Sequence, residues 1–359
     1  VDGVKRGHRG GGRSGGGPTL ADVAAALNVS KSTVSNAYNR PDQLSAQLRE
    51  RIMAEAGRLG YHGPDPIAAT FSRRRAGAIG LIFDDPLTFA LTDPAEVLFS
   101  TGIGEVCEQA GVGLLLIPQG SGVGLVRQAL VDGFVCHCDI DGDTRVDTAV
   151  GRGMPVVVVD GLPRPDAGYV GINDRAAAAE AARHLIELGH RRIAVLASPL
   201  RPDGRGGLAN IDRQAAAQHH VMRERLAGYR TALEAGGIDW AGVPVAECSP
   251  YGRESGYRAA ADLLDNSGPP TALLAGSDEL ALGALRAAAA LGLAVPGDLS
   301  IVGFDDAPPA AWATPGLTTM RQPHRDKGRL AAEYLMAPQE RAIVTLTADL
   351  IVRGSSAPL

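Results

Sequence analysis

From residue 78 onward the chain alternates short apolar runs with alanine-rich amphipathic stretches, and it keeps doing so for nearly 285 residues. The runs at 78–83, 113–117, 133–136, 156–160, 193–197, 272–275 and 300–304 are strand-length and read as buried on both faces. The stretches at 95–110, 175–188, 222–236 and 279–291 carry helical periodicity. Strand–helix alternation of this kind predicts parallel sheets flanked by helices, and its length predicts two lobes. In open sheets of this type ligands bind beyond the carboxyl ends of the strands. Asp160 and Asp305 each close an apolar run and so fall at such ends.

The segment before residue 76 is built differently. Residues 1–17 are a Gly-rich tail with Lys5, Arg6, Arg9 and Arg13 that cannot bury apolar surface, and are read as disordered. Residues 18–62 hold three short helical patterns. Thr19 caps the first, with Leu20, Val23, Ala24 and Leu27 at helical spacing. After a turn at Asn28 and Val29, Ser30 caps the second, whose Val34 and Ala37 face inward while Lys31, Ser32, Ser35 and Asn36 face out. Ser45 opens the third, which Gly60 closes. Three short helices, the first two joined by a tight turn, make a helix-turn-helix unit. Residues 63–75 form a linker broken by Pro64 and Pro66. Asp65 can cap a hinge helix there that carries Phe71, followed by Arg73, Arg74 and Arg75. Residues 76–359 form the two-lobed body.

Charge follows the same division. Residues 1–75 carry 12 Lys and Arg against 6 Asp and Glu, a net of +6; the remainder carries 23 against 34, a net of −11. A basic head on an acidic body suits contact with a polyanion. No run of 18 apolar residues exists, and the beginning lacks the apolar core of a secretion signal, so no membrane partner and a cytoplasmic, nucleoid-associated location are expected. The four cysteines do not form a disulfide framework and read as small core residues.

Catalytic and cofactor patterns are not found. No strand-to-helix nucleophile elbow occurs, and the eight histidines form no catalytic arrangement. Gly102-Ile103-Gly104 lacks the third glycine of a dinucleotide loop and reads as the start of a helix. Cys136-His137-Cys138 lacks the second ligand pair of a closed zinc site. Neither an enzyme, a metal nor a cofactor is expected.

Thr19 to Ala24 followed by Val29 to Ser35 resembles the helix-turn-helix of the lactose repressor/galactose repressor (LacI/GalR) family. Arg225-Leu226-Ala227-Gly228-Tyr229, Ser277 to Gly283, Val302-Gly303-Phe304-Asp305-Asp306 and Leu317-Thr318-Thr319 resemble that family's body motifs, in the same order. The resemblance implies a small all-α helix-turn-helix head on an α/β periplasmic-binding-protein-like body. It also implies a homodimer on double-stranded operator DNA, with a small-molecule effector between the lobes. By position it implies base reading by Lys31, Ser32 and Asn36, and phosphate contacts at Ser30 and Ser35. Phe71 stands at the position of a leucine that wedges into the minor groove, and Arg73 and Arg74 then suit phosphates. Asp160, Arg225 and Asp305 match effector contacts, and Ser277 replaces a frequent asparagine.

Physical chemistry fits these roles. Lysine can donate to guanine and an amide can pair with adenine, whereas serine reads either kind of base. Two carboxylates and a guanidinium suit paired hydroxyls, which makes a sugar the leading effector class and leaves nucleobases open. Residues 200–220, rich in Gly, Arg and His, read equally as a binding loop or a disordered insertion. The absence of a heptad tail after Arg353 favours a dimer over a tetramer. A solute-binding protein of the same two-lobed type is the alternative, and a sugar-modifying enzyme with a DNA-binding head is a third.

Overall fold

The computed structural model describes residues 17–63, 75–337 and 343–359. The chain divides into a unit ending at residue 76 and a second spanning 77–359. The expected hinge helix, Phe71, Arg73 and Arg74 lie outside the described residues, as does nearly all of the glycine-rich tail.

The first unit has helices α1 (Leu20–Leu27), α2 (Lys31–Asn39) and α3 (Ala46–Leu59). Asp22 turns back to accept from the Thr19 backbone N–H at 2.8 Å and its hydroxyl at 2.7 Å, fixing where α1 begins. Asn28 ends it in the left-handed conformation at φ 56°, a state asparagine tolerates better than most residues. The Ser30 hydroxyl accepts from Thr33 N–H at 3.0 Å and starts α2. Between the helices Val23, Ala24, Val34, Ala37, Ile52, Ala56 and Tyr61 form one small core. Tyr61 meets Tyr38 edge-on, ring centroids 5.8 Å apart.

The second unit contains two sheets. In the first, β1 (Ala78–Phe83), β2 (Gly113–Ile117), β3 (Gly133–His137), β4 (Val156–Val159), β5 (Gly168–Ile172) and β12 (Ile343–Leu346) lie in the order β12-β5-β4-β3-β1-β2, every pair parallel. The second contains β6 (Ile193–Ala197), β7 (Gly207–Leu208), β8 (Val245–Glu247), β9 (Ala272–Ala275), β10 (Ser300–Asp305), β11 (Thr318–Arg321) and β13 (Asp349–Ile351), in the order β13-β11-β10-β9-β6-β8-β7. Its edge strands β13 and β7 are antiparallel, and its interior pairs are parallel. Each sheet carries helices on both faces, which is why the central strands read as continuous apolar runs.

Three helix pairs pack against these sheets with their backbones in close approach. Pro94–Ala110 packs on His324–Met336, Asp174–Glu187 on His220–Ala235, and Arg253–Leu264 on Asp278–Ala290. A Cβ on Gly102 would strike the Arg325 carbonyl, and one on Gly328 the Phe99 carbonyl; Gly228 and Gly283 stand equally close to backbone oxygens. Gly102 therefore sits inside its helix, not at the start expected from sequence. It is a packing glycine that allows two helices to touch.

The chain crosses between lobes three times: at Asn173 after β5, at Gln322 and Pro323 after β11, and at residues 347–348 between β12 and β13. The carboxyl ends of the parallel strands of both lobes open on one shared cleft.

Candidate effector cleft and nucleic-acid interface

A cavity of about 150 Å³ lies between the lobes. Residues just past the strand ends supply much of its wall: Asp84 and Asp85 after β1, His137 and Cys138 at the end of β3, Asp160 after β4, Ser198 after β6, Ser277 after β9, and Asp305 closing β10. Asp93 and Glu96 enter from the start of one helix, and Met222 and Arg225 from the first turns of another. All four expected effector residues, Asp160, Arg225, Ser277 and Asp305, line this one cavity. A larger hollow of about 230 Å³ along β7 and β8 is lined from the second lobe alone, and its one buried carboxylate, Glu247, is already held by Arg213 at 2.8 Å.

Backbone strain collects at the same strand ends. Among the described residues five non-glycine residues have positive φ, and Cys138 (52°), Asp160 (51°), Asp305 (127°) and Asp306 (56°) are four of them. Each departs from the extended conformation just where the strand stops; Cys138, Asp160 and Asp305 thereby line the cleft, while Asp306 pairs with Arg321 and Arg353. Unfavourable backbone of this kind persists where surrounding structure holds it, commonly at ligand sites. The turn at Cys138 also corrects an expectation: that cysteine is half-buried and lines the cleft rather than serving as core filling.

The expected residues are engaged by the protein's own side chains. Lys327, fully buried, donates to both oxygens of Asp160 at 2.6 and 2.7 Å and to the Gln322 side-chain carbonyl at 2.6 Å. The Gln322 amide donates in turn to Asp305 at 2.7 Å. One chain of hydrogen bonds thus runs from the end of β10 in one lobe, through the crossing segment, to the end of β4 in the other. Arg225 donates to Asp174 at 2.9 Å and the Gly276 carbonyl at 2.6 Å, and lies 3.7 Å over the Phe304 ring. Ser277 caps the following helix at Leu280 N–H. Lys327 opposes the burial that would raise Asp160, and the carboxyl is held well below its usual range.

Sequence reading missed Lys327, Gln322 and Glu96, and weighed His137 only as part of an incomplete zinc pattern. For Lys327 a signal existed: Lys327, Ala331 and Leu335 recur every four residues on one buried helical face. His137 stacks on Phe99 with centroids 4.1 Å apart, and stands 3.1 Å from Glu96 and 3.8 Å from Asp160. Burial alone would lower its pKa, but Cys138, Glu96 and Asp160 outweigh that and raise it well above the ordinary imidazole value. Glu96, His137 and Cys138 place one potential ligand atom each within 4.8 Å of one another, the only such group among the described residues. A protonated His137 between two carboxylates satisfies this cluster without an ion.

The lobes also touch directly. Phe89 meets Tyr251 with centroids 4.9 Å apart, Arg223 pairs with Asp141, and His219 lies 3.5 Å from Asp84. Residues 200–220 are folded: β7 pairs with β8, a short helix spans Ile211–Ala215, and Arg213 ties Asp203 to Glu247. Their end delivers His219 and His220 to the cleft wall.

Burial raises Asp93 to about 8, helped by Asp305, Glu96 and Glu279, and raises Asp84 to about 7, helped by Asp85 and opposed by Arg145. A carboxyl with a folded pKa above its unfolded value contributes stability that is complete below the unfolded pKa and lost as pH rises through the folded one. Unfolding free energy is therefore expected to fall between about pH 4 and about pH 8, by up to roughly 1.4 kcal/mol per pH unit for each group, with Asp93 alone responsible above about pH 7. Urea melts across that range check it, and Asp93→Asn, which keeps the helix cap, is expected to flatten the upper part.

In the first unit Lys31, Ser30 and Ser32 are exposed on α2, with the Ser30 and Ser32 hydroxyls hydrogen-bonded at 2.7 Å. Asn36 and Ser35 are half-buried; Asn36 donates to Gln43 at 3.3 Å, and Ser35 accepts from Asn39 at 3.1 Å.

Residues 19–64 match the model of bacterial regulatory proteins of the lacI family, and residues 182–356 match a periplasmic binding protein-like domain. A helix-turn-helix transcriptional regulator of Mycobacterium tuberculosis is 42% identical over 349 residues, covering 94% of this chain and 96% of its own. The chain belongs to the LacI family. Two solved LacI-family relatives have similar architecture across nearly the whole chain. The lac repressor dimer bound to operator and the anti-inducer ONPF superposes with a TM-score of 0.74 at 25% identity, covering 95% of this chain and 100% of that one. The transcriptional regulator CelR in complex with cellobiose gives 0.67 at 28% identity, covering 94% and 99%. Like other LacI-family members this is a DNA-binding regulator with effector-binding lobes, not an enzyme, and no helix among the described residues is long and apolar enough to cross a membrane.

Proposed function

We propose that this LacI-family regulator is a dimeric repressor that reads a pseudopalindromic operator, and that a sugar bound between its lobes changes its affinity for that operator. Lys31, Ser32 and Asn36 of α2 read bases, with Ser30 and Ser35 on phosphates. Phe71 wedges into the minor groove and Arg73 and Arg74 contact phosphates; all three lie outside the described residues. Asp160, Arg225, Ser277 and Asp305 hold the sugar.

The observation that carries this reading is the meeting of those four effector residues in one interlobe cavity, at strand ends that come from both lobes. The cellobiose complex of one relative and the operator complex of another support the two halves of the assignment. Coupling follows from the fold: three crossing segments join the lobes, so a ligand that favours one lobe angle shifts a body-wide equilibrium. Reciprocity then requires the operator to change sugar affinity by the same factor.

Selection of bound sequences from a random duplex library, repeated across salt concentrations and with a panel of sugars, tests the proposal. Enrichment of a pseudopalindrome that one sugar releases or tightens is the expected result. Binding that depends on salt and is blind to sequence overturns it in favour of a solute-binding role.

A further inference from the structure

We propose that the hollow along β7 and β8 is a second small-molecule site, separate from the interlobe cleft, and that it takes an apolar α-amino acid whose carboxylate and ammonium meet Arg258 and Asp262.

The hollow exists because the second sheet outruns its cover. On one face of that sheet the Arg253–Leu264 helix packs over β6 and β8, and it buries Ala246 and Cys248. Strand β7 adds one more step beyond the helix. Leu208 stands opposite Ala246 in the ladder and so points to the same face, yet it is 75% exposed. Leu208, Ala246 and Cys248 from the strands and Ala259 and Leu263 from the helix thus make an apolar floor for a space of about 230 Å³. Apolar surface gathered in a concave wall with a few polar groups at its rim is the usual form of a small-molecule site.

The rim supplies one charge of each sign. Arg258, Ala259, Asp262 and Leu263 recur at helical spacing, so one stripe of the helix faces the hollow and carries a cation and an anion one turn apart. Among the described residues neither side chain makes a hydrogen bond or an ion pair. Glu254, one turn before Arg258, feels the Arg258 charge but is bonded to Arg286, and Asp262 accepts from the Asn266 amide only through its backbone carbonyl. Base before acid is also the weaker order for pairing within a helix, so Arg258 and Asp262 have little to lose to a ligand.

This arrangement selects a ligand class. A lone carboxylate on Arg258 would meet Asp262, and a lone amine on Asp262 would meet Arg258. A molecule with both charges on one carbon satisfies both, and residues one turn apart start from Cβ atoms only about 5–6 Å from each other, the scale of an amino-acid head group. Its side chain then covers Leu208, Cys248 and Leu263, surface that a sugar would leave unused. Occupancy also bears on the interlobe cleft. Glu247 lines the hollow while it accepts from Arg213 and, at 2.7 Å, from Leu200 N–H, and the segment those residues belong to ends at His219 and His220 in the cleft wall. Two ligands that bias one segment must change each other's affinity by the same factor.

Titration calorimetry and thermal shift on the full chain test this with L-leucine, L-phenylalanine and L-tryptophan. Each is set against its N-acetyl form, which lacks the ammonium, and its amide, which lacks the carboxylate. At least one free amino acid is expected to bind, with both of its blocked forms weaker by about tenfold or more. Arg258→Gln, Asp262→Asn and Leu208→Ser are each expected to weaken it about tenfold, and since all three side chains are exposed the unliganded melt should hardly move. Failure of all three free amino acids to bind overturns the proposal. So does a blocked form that binds as tightly as its parent, or binding that the three substitutions leave unchanged, which would place the amino acid elsewhere on the chain.

Discussion

Replacing Lys327 with methionine is expected to lower the unfolding free energy of the body by about 3–5 kcal/mol, the usual cost of removing one partner from a buried ion pair. Lys327 has no exposure and Asp160 only 6%, so solvent cannot take over the lost contact. His137, 3.8 Å from Asp160, offers only a long second contact. The carboxylate would then either remain charged without a close cation or take up a proton. In the second case its pKa rises with burial, and the variant loses stability as pH rises, opposite to the behaviour Asp160 contributes in the parent. Urea melts at several pH values separate the two. The double variant Asp160→Asn, Lys327→Met is expected to recover most of the loss, because a neutral pair needs no compensation. If the double variant is as unstable as the single, the lysine stem matters for packing and the ion pair does not.

The second large effect is expected at the nucleic-acid face. Lys31→Ala with Asn36→Ala should weaken binding to the selected operator by roughly two to four orders of magnitude, at about 1–3 kcal/mol for each base contact. Binding to random duplex should change little. Fluorescence anisotropy on both duplexes across a salt series makes the comparison. A base-reading lysine relaxes specificity at one position. A phosphate-binding lysine instead weakens all sequences together and lowers the salt slope by about one. The half-buried setting of Asn36 and its hydrogen bond to Gln43 predict that Gln43→Ala alters Asn36 indirectly, through its orientation.

Strand and helix periodicity made much of the architecture legible before any coordinates. The runs at 78–83, 113–117, 193–197 and 272–275 coincide with strands because parallel strands covered on both faces must be apolar throughout. Strands β5, β8 and β11 escaped notice, being short and rich in Gly, Thr or a single Glu, with little hydrophobic contrast. Asp160 and Asp305 were readable as strand-end acids. Their partners were not, since Lys327 is 167 positions away from Asp160 and only the fold brings them together. Gly102 was misread for a similar reason: it reads as the start of a helix in one dimension and is a mid-helix packing contact in three. The order within residues 200–220 was equally hidden, because it depends on Glu247 receiving Arg213.

The three crossings make both lobes discontinuous in sequence. The first sheet lacks its edge strand until β12, and the first lobe's central helix, His324–Met336, comes after the second lobe has almost finished. The second lobe in turn waits for β13 and for Ser355, whose buried hydroxyl ties Ile301 to Thr318. During synthesis, then, neither lobe can close while the final 36 residues remain inside the ribosome. The cleft, which needs Lys327 and both sheets, forms last of all, so a chain interrupted near residue 320 would leave two unfinished sheet edges exposed to aggregation instead of one working half.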